Sequence, residues 1–237
     1  SQAWGIYGGV LKDYVHNPNI KRLAQEGMVL NNAFCTNSIC TPSRGSVMTG
    51  QYSHINGIYN LRNPLDPSRD NVAKELQKGG YQTALVGKWH LHAKPSGFDY
   101  FNVLPNQGKY WNPKLKTADI WEDGGKGGVE HKGFSTDVIT DLTLDWIDNR
   151  DKEKPFYMMC HFKATHEPFD FPDRFKDLYV DEEIPEPASL HDSGPETTNR
   201  TFEGQVLENL GRRWETASKK PDEWWTNYPG LPFSTEG

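Results

Sequence analysis

Residues 40–50 read CTPSRGSVMTG, and this stretch carries the strongest chemical signal in the chain. Pro42 suits the first turn of a helix, because its missing N–H falls where the helix offers no acceptor. The stretch therefore predicts a helix that begins directly after Cys40, where unpaired N–H groups favour an anion. Arg44 follows one turn later, so that an anion beside Cys40 meets both a helix end and a guanidinium.

Outward from this helix, helices and strands alternate along the chain. Apolar spacing, caps and glycine stops predict three helix–strand pairs. They lie at 18–27 and 28–34, at 71–78 and 81–86, and at 135–149 and 155–162. Because the last strand, PFYMMCHF, is a continuous apolar run, we expect it to be buried on both faces. This pattern predicts an α/β fold with a mostly parallel sheet flanked by helices, and an active site beyond the carboxyl ends of the strands.

The composition indicates a loop-rich chain of 237 residues with 22 Gly, 16 Pro and a net charge of −6. No segment concentrates Lys and Arg, so we expect no nucleic-acid partner. No apolar run approaches ~20 residues, so we expect no membrane span. Three cysteines do not make a disulfide framework. We find no repeat and no clear boundary, which predicts one domain over 1–237.

Two further stretches place basic side chains after predicted strands. GKWHLH at 87–92 carries Lys88 and His90, which strand alternation puts on the same side of the chain. KATHEPF at 163–169 carries Lys163 and His166. Taken alone, each pattern is more often a solvated edge or a structural loop.

These stretches together resemble the formylglycine-dependent sulfatases of the alkaline-phosphatase-like superfamily, and bacterial polysaccharide sulfatases most. Residues 40–50 match the signature Cys-x-Pro-Ser-Arg followed after four residues by Thr-Gly. Six fixed positions give a chance match odds on the order of 10⁻⁵ or less. GKWHL looks like the second sulfatase signature, and KATHEPF is similar to a family stretch in which Pro often replaces Thr165. The resemblance covers about 5–169.

The resemblance implies hydrolysis of a sulfate ester, with a sulfated carbohydrate as the expected substrate. A maturation enzyme would oxidise Cys40 to Cα-formylglycine, and one hydroxyl of its hydrate would attack sulfur while the alcohol departs. The second hydroxyl would then lose its proton, and the adduct would collapse to aldehyde and sulfate.

The resemblance also implies roles for individual residues. Arg44 is catalytic, Lys88 holds a sulfate oxygen, and His90 is the base that assists the hydroxyls of the formylglycine. His166 protonates the departing alcohol. Substrate contacts are expected from two further residues, Lys163 and His54.

Sulfatases also bind one divalent cation, usually Ca²⁺, and the resemblance makes Cys40 a ligand through its formylglycine oxygen. The remaining carboxylate and amide ligands of the family lie upstream of the stretch similar to 1–8 and downstream of 163–169. We therefore expect 1–237 to be the N-terminal part of a catalytic domain that extends at both ends. A periplasmic or secreted location is expected from the same resemblance.

Several alternatives stay open at this point. Cys40 as a buried structural thiol is one, and a zinc pair of Cys35 and Cys40 is another, although no second Cys/His pair completes it. A phosphodiesterase or phosphonate hydrolase of the same superfamily is a close alternative activity. A catalytically inactive carbohydrate-binding homologue would keep the fold but lose one of Cys40, Lys88 or His90, and all three are present.

Overall fold

The computed structural model describes residues 13–121, 127–166 and 169–186. The chain divides into two compact units, one made of Ser1–Val29 with His166–Gly237 and the other of Leu30–Thr165. The divisions after Val29 and after Thr165 were not expected from the sequence. The single domain over 1–237 stays a prediction. The stretch at 1–8 and everything beyond residue 186 lie outside the described residues.

The first unit contains helix α1 (Pro18–Glu26) and a 3₁₀ turn at Asp173–Phe175. Pro18 opens α1 because its fixed φ is already helical and its missing N–H costs nothing there. The hydroxyl of Tyr14 donates to the carbonyl of Glu183 at 3.1 Å, which ties the two stretches of this unit together. The predicted helix at 18–27 is thus confirmed to within one residue.

The second unit contains the remaining described helices and strands. In chain order they are α2 (Cys40–Thr49), α3 (Ser53–Asn56), α4 (Val72–Lys78), β1 (Gln82–Lys88), β2 (Tyr100–Leu104), β3 (Lys114–Leu115), β4 (Val129–Glu130), α5 (Ser135–Asn149) and β5 (Phe156–His161). Strand β1 is central and pairs in parallel with β2 and β5, while β3 and β4 form an antiparallel pair. The parallel sheet flanked by helices is therefore confirmed.

Apolar side chains cover both faces of this sheet. Leu85 of β1 lies in register with Phe101 and Met159, and the three belong to one core cluster. The next residue, Val86, points to the opposite face and packs in a second cluster with Ile139 of α5. Because the three strands are parallel, their carboxyl ends meet at one edge of the sheet.

The predicted strand at 28–34 is wrong. The segment has a turn at residues 31–32 and no regular structure elsewhere, with Met28 83% and Phe34 87% exposed. A strand needs a neighbour that pairs with its backbone, and no described strand pairs with this segment. Strand β2 was missed instead, in the weakly periodic stretch 98–132, because the edge of β1 supplies a pairing that local pattern does not reveal.

The expectation that β5 is buried on both faces is also wrong. Met159 is its one buried residue, and Phe156 is 39% exposed. Among the described strands β5 pairs with β1 alone. Strand β1 pairs on both sides, and six of its seven residues are buried.

Candidate active site

Cys40 lies at the start of α2, as the first residue of the helix and half-buried. This is one residue further into the helix than expected, since the turn already closes through Ser43 N–H, which donates to Ile39 O at 3.0 Å. Pro42 is buried in the first turn, as predicted. Thr41 is fully buried and its hydroxyl donates to His90 O at 3.0 Å, so the start of α2 is tied to the segment that follows β1.

Two glycines within residues 40–50, Gly45 and Gly50, shape how this helix packs and where it ends. A Cβ on Gly45 would lie 2.5 Å from Ile58 Cδ1, so the missing side chain lets α2 approach the core directly after Arg44. Gly50 ends the helix with φ 64°, and its N–H donates to Ser46 O at 2.9 Å. The helix is therefore seated and closed by residues of the motif itself.

Arg44 reaches from α2 across the carboxyl ends of two strands. Its Nη1 donates to Lys88 O at 2.8 Å and lies 3.2 Å from His161 Nδ1. Burial lowers the pKa of the guanidinium, and the negative charge of an ionised Cys40 opposes this shift. Arg44 and Cys40 are thus close enough for their charges to interact.

Lys88 is the last residue of β1 and only 3% exposed. Its Nζ donates to Gln107 Oε1. Burial lowers the pKa of Lys88 to about 8; an ionised Cys40 acts against this, and the Arg44 charge adds to it. At neutral pH the side chain therefore keeps most of its charge, in a site that already contains a guanidinium.

His90 is buried, with 7% of its surface exposed. Strand alternation was expected to place it on the same side as Lys88, but its position has another cause. Strand β1 ends at Lys88, and His90 has φ 52°, so the alternation of an extended strand does not reach it. Its ring lies edge-to-face on that of His92, with centroids 5.3 Å apart. His92, to which no role was given, donates through Nε2 to Leu61 O at 2.5 Å and supports this turn.

Lys163 follows β5 and is buried at 3% exposure. Its Nζ donates to Gln107 O at 3.3 Å and lies 4.8 Å from the centroid of the Tyr110 ring. Gln107 thus contacts two cations, with its side chain on Lys88 and its backbone on Lys163.

Two residues of this group were missed in the sequence. Gln107 follows β2 in the stretch FNVLPNQG, and His161 is the last residue but one of the apolar run PFYMMCHF. The available signal was their position, because both lie at or just after the carboxyl end of a strand of the parallel sheet.

Two predicted site residues, His54 and His166, make none of the contacts described above. His54 is exposed on α3, where its ring stacks on that of Tyr52 at 5.7 Å. His166 belongs to the other compact unit, is half-buried, and its carbonyl accepts from Phe169 N–H at 3.2 Å. The roles of His54 and His166 stay predictions.

No three His, Cys, Asp or Glu residues cluster within the described part of the chain in a way that could hold a metal ion. A hard divalent cation needs several oxygen ligands, so the described residues alone do not fit a Ca²⁺ site. Cys35 and Cys40 are both free thiols, and Cys35 lies against Asn37 O at 3.1 Å and Ser43 Oγ at 3.7 Å.

Within the same described ranges, no helix has the length and apolar character needed to cross a membrane.

Comparison with known proteins gives consistent matches. The family model described as Sulfatase matches residues 1–212. An N-acetylglucosamine-6-O-sulfatase from Bacteroides thetaiotaomicron is 41% identical over 195 residues, which are 81% of this chain and 33% of that protein. A human N-acetylgalactosamine-6-sulfatase is 29% identical over 197 residues, covering 70% of this chain and 38% of that protein.

Solved structures of similar fold also match the chain. A structure in complex with its substrate D-glucosamine-2-N,6-O-disulfate matches with a TM-score of 0.74 and 38% identity, over 81% of this chain and 37% of that one. A phosphonate monoester hydrolase of Agrobacterium radiobacter matches with a TM-score of 0.52 and 21% identity, over 73% and 42%, and this likeness concerns the fold alone. The chain spans about a third of the length of the Bacteroides thetaiotaomicron sulfatase and of the protein in the substrate complex.

Proposed function

Since this chain belongs to the sulfatase family and has its alkaline-phosphatase-like fold, we propose that the protein hydrolyses a sulfate ester of a carbohydrate. The observation that carries the proposal is the meeting of Arg44 and Lys88 beside Cys40, at the carboxyl end of β1 and the start of α2. A half-buried guanidinium and a buried ammonium at a helix N-terminus are suited to a sulfate ester, which carries one negative charge.

The proposed roles of Arg44 and Lys88 rest on their closeness to Cys40, and those of Cys40, His90 and His166 rest on the family. Converted to formylglycine, Cys40 supplies a hydrated aldehyde: one hydroxyl attacks sulfur, and the second lets the adduct collapse to aldehyde and sulfate. The thiol in this structure stands in for those oxygens. Arg44 and Lys88 stabilise the charge on the sulfate oxygens. His90 accepts the proton of the second hydroxyl, and His166 donates a proton to the departing alcohol.

For the substrate we propose a glucosamine that carries a 6-O-sulfate. The support is the 41% identity to a protein named N-acetylglucosamine-6-O-sulfatase, and the match to a structure that holds a 6-O-sulfated glucosamine. His54 is exposed and is proposed to contact this substrate. Lys163 is buried and donates to Gln107, which favours support of the Lys88 partner over the direct contact expected from sequence.

Three further proposals rest on the family. Cys40 is matured by a formylglycine-generating enzyme, the complete protein uses Ca²⁺, and it acts in the periplasm or outside the cell.

Sulfate release from defined sugars tests the proposed function. The full-length protein, produced in a host that matures sulfatases, is expected to release sulfate from N-acetylglucosamine-6-O-sulfate, and its Cys40 peptide should be ~18 Da lighter than encoded. Cys40→Ala should lose turnover by more than ~10³-fold, whereas Cys35→Ala, at an exposed thiol, serves as the matched control.

Two results would each replace the proposal with an alternative. Faster cleavage of an aryl phosphonate than of any sulfate ester would make the protein a phosphonate hydrolase. A converted Cys40 together with sugar binding and no turnover would make it a carbohydrate-binding homologue.

The proposed acid role of His166 has its own test. His166→Ala should lower kcat/KM for an alkyl sulfate such as a sugar sulfate by ~10²–10⁴-fold, but affect 4-nitrophenyl sulfate far less, because an aryl oxide departs without a proton. Equal losses on the two substrates would remove His166 from this role.

A further inference from the structure

The Arg44 guanidinium is held by two strands at once, and one of its two partners, His161, has no role in the reaction described above. We propose that His161 is a positioning residue: its ring accepts a hydrogen bond from Arg44 through Nδ1 and thereby fixes the guanidinium beside residue 40. The inference rests on the proposed function, in which Arg44 stabilises the charge of the sulfate.

Backbone geometry puts His161 at this point. His161 is the last residue of β5 and lies in register with Gly87 of β1. Gly87 has φ 100°, and a Cβ there would lie 1.9 Å from His161 O, so only glycine permits this approach. The two strands therefore meet closely where they end, and the imidazole comes to lie beside the carbonyl of Lys88, with Nδ1 3.2 Å from that oxygen.

Arg44 Nη1 carries two hydrogen atoms, and two acceptors lie within reach of it. A guanidinium carries five N–H donors and no acceptor, and two of the five lie on Nη1. The partners within reach are Lys88 O at 2.8 Å and His161 Nδ1 at 3.2 Å. One bond to each fixes the plane of the fork and leaves Nε and Nη2 to face other groups, such as an anion at Cys40.

The bond to Arg44 requires one tautomer of His161. Nδ1 must carry a lone pair, because the guanidinium cannot accept, and the ring proton then lies on Nε2. The competing arrangement is an Nδ1–H that donates to Lys88 O, which would leave Arg44 with one anchor. The charge of Arg44 favours the first, since charge-assisted hydrogen bonds are about twice as strong as neutral ones. Burial and the same charge lower the pKa of His161 to about 4, so the ring is neutral and able to accept.

A pair of variants separates positioning from bulk structure. His161→Asn keeps an acceptor oxygen near the position of Nδ1, and His161→Leu removes it. With the matured full-length protein and a sugar 6-O-sulfate, we expect kcat/KM to fall ~10–100-fold in His161→Leu and less than ~3-fold in His161→Asn. In an Arg44→Lys background, where the fork is absent, His161→Leu should add less than ~2-fold.

The matched structural control is Thr143→Val on α5. Thr143 donates to Cys160 Sγ at 3.4 Å, so this variant disturbs the packing of the same strand without touching Arg44. It should lower the melting temperature while leaving kcat/KM unchanged. Loss of activity in Thr143→Val equal to that in His161→Leu, or equal losses in the Leu and Asn variants of His161, would overturn the proposal.

A readout independent of turnover completes the test. The ¹⁵N resonances of His161 in the wild-type protein should show a protonated Nε2 and a bare Nδ1. A protonated Nδ1 would overturn the proposal even in a fully active enzyme. Conversely, a protein that turns over no sulfate ester but shows the expected tautomer would refute the proposed function and leave the contact between Arg44 and His161 standing.

Discussion

Strands β1 and β5 are neighbours in one sheet, yet they differ in burial at most of their positions. Six of the seven residues of β1 (Gln82–Lys88) are buried, whereas β5 (Phe156–His161) buries Met159 alone. The sequence FYMMCH is at least as apolar as QTALVGK, so apolarity does not explain the difference. What differs is the number of neighbours, because β1 pairs on both sides and β5 pairs with β1 alone among the described strands.

The two strands also differ in what they contribute to the proposed site. Strand β1 ends in Lys88, a buried cation whose charge is proposed to act on the sulfate. Strand β5 ends in His161, which contacts Arg44 and is proposed to orient it. In this proposal the central strand supplies a group that contacts the substrate, and β5 supports a second such group.

The largest effect is expected where the two strands touch. Gly87→Ala combines a positive φ of 100° with a Cβ placed 1.9 Å from His161 O, so we expect a loss of about 4 kcal/mol or more in the free energy of unfolding, or no folded protein. Gly80→Ala is the matched control, since Gly80 has φ 83° but no atom within 4 Å of the added Cβ, and should cost about 1–2 kcal/mol. Urea denaturation of both variants measures the difference, and equal costs would refute the close approach.

An intermediate effect is expected from shortening one apolar side chain in each strand, because the two strands differ in burial. Leu85→Ala in β1 removes a fully buried side chain and should cost about 2–5 kcal/mol. Met158→Ala in β5 removes a half-buried one and should cost about 1 kcal/mol. Chemical denaturation under identical conditions gives both values. If the two costs are equal, β5 is as buried in solution as β1, and the comparison fails.

The last effect concerns the end of β5 and depends on pH, since it is absent above about pH 6.5 and grows only on the acid side. The pKa of His161 in the folded protein is about 4, below its ordinary value of about 6.5. A proton therefore binds the unfolded chain better, so the contribution of His161 to stability is intact above about pH 6.5 and is lost as the pH falls toward 4. The full difference is up to about 3 kcal/mol. His161→Asn lacks this loss, and the free energies of unfolding of the two proteins should diverge on the acid side. Parallel curves would contradict a ring that stays neutral in the folded protein.

Much of the site was predictable because its signals are local. The helix of CTPSRGSVMTG and the strand before GKWHLH are encoded by adjacent residues, and the structure brings Cys40, Arg44 and Lys88 together as expected. Gln107 and His161 were not predicted, because their partners lie 19 and 117 residues away in the chain.

The two failures about strands share one physical cause. The segment 28–34 was predicted as a strand and is not one, and β2 was not predicted but pairs with β1. A strand is stabilised by backbone hydrogen bonds to another segment, so its existence depends on which edges are available in the folded chain. A helix such as α5 bonds within itself, and its bounds, Ser135–Asn149, agree with the pattern of its own residues.

The sequence by itself determined the family, the parallel α/β class and the position of Cys40, the cysteine that we propose is converted to formylglycine. These follow from residue types at fixed short spacings, and from apolar periods that each segment carries alone. The tertiary structure decided which strand is central, that His90 leaves the strand with φ 52°, and that Arg44 bonds to Lys88 O and His161. Those outcomes depend on contacts between segments distant in the chain, because burial and hydrogen bonding are properties of the packed molecule rather than of any one stretch.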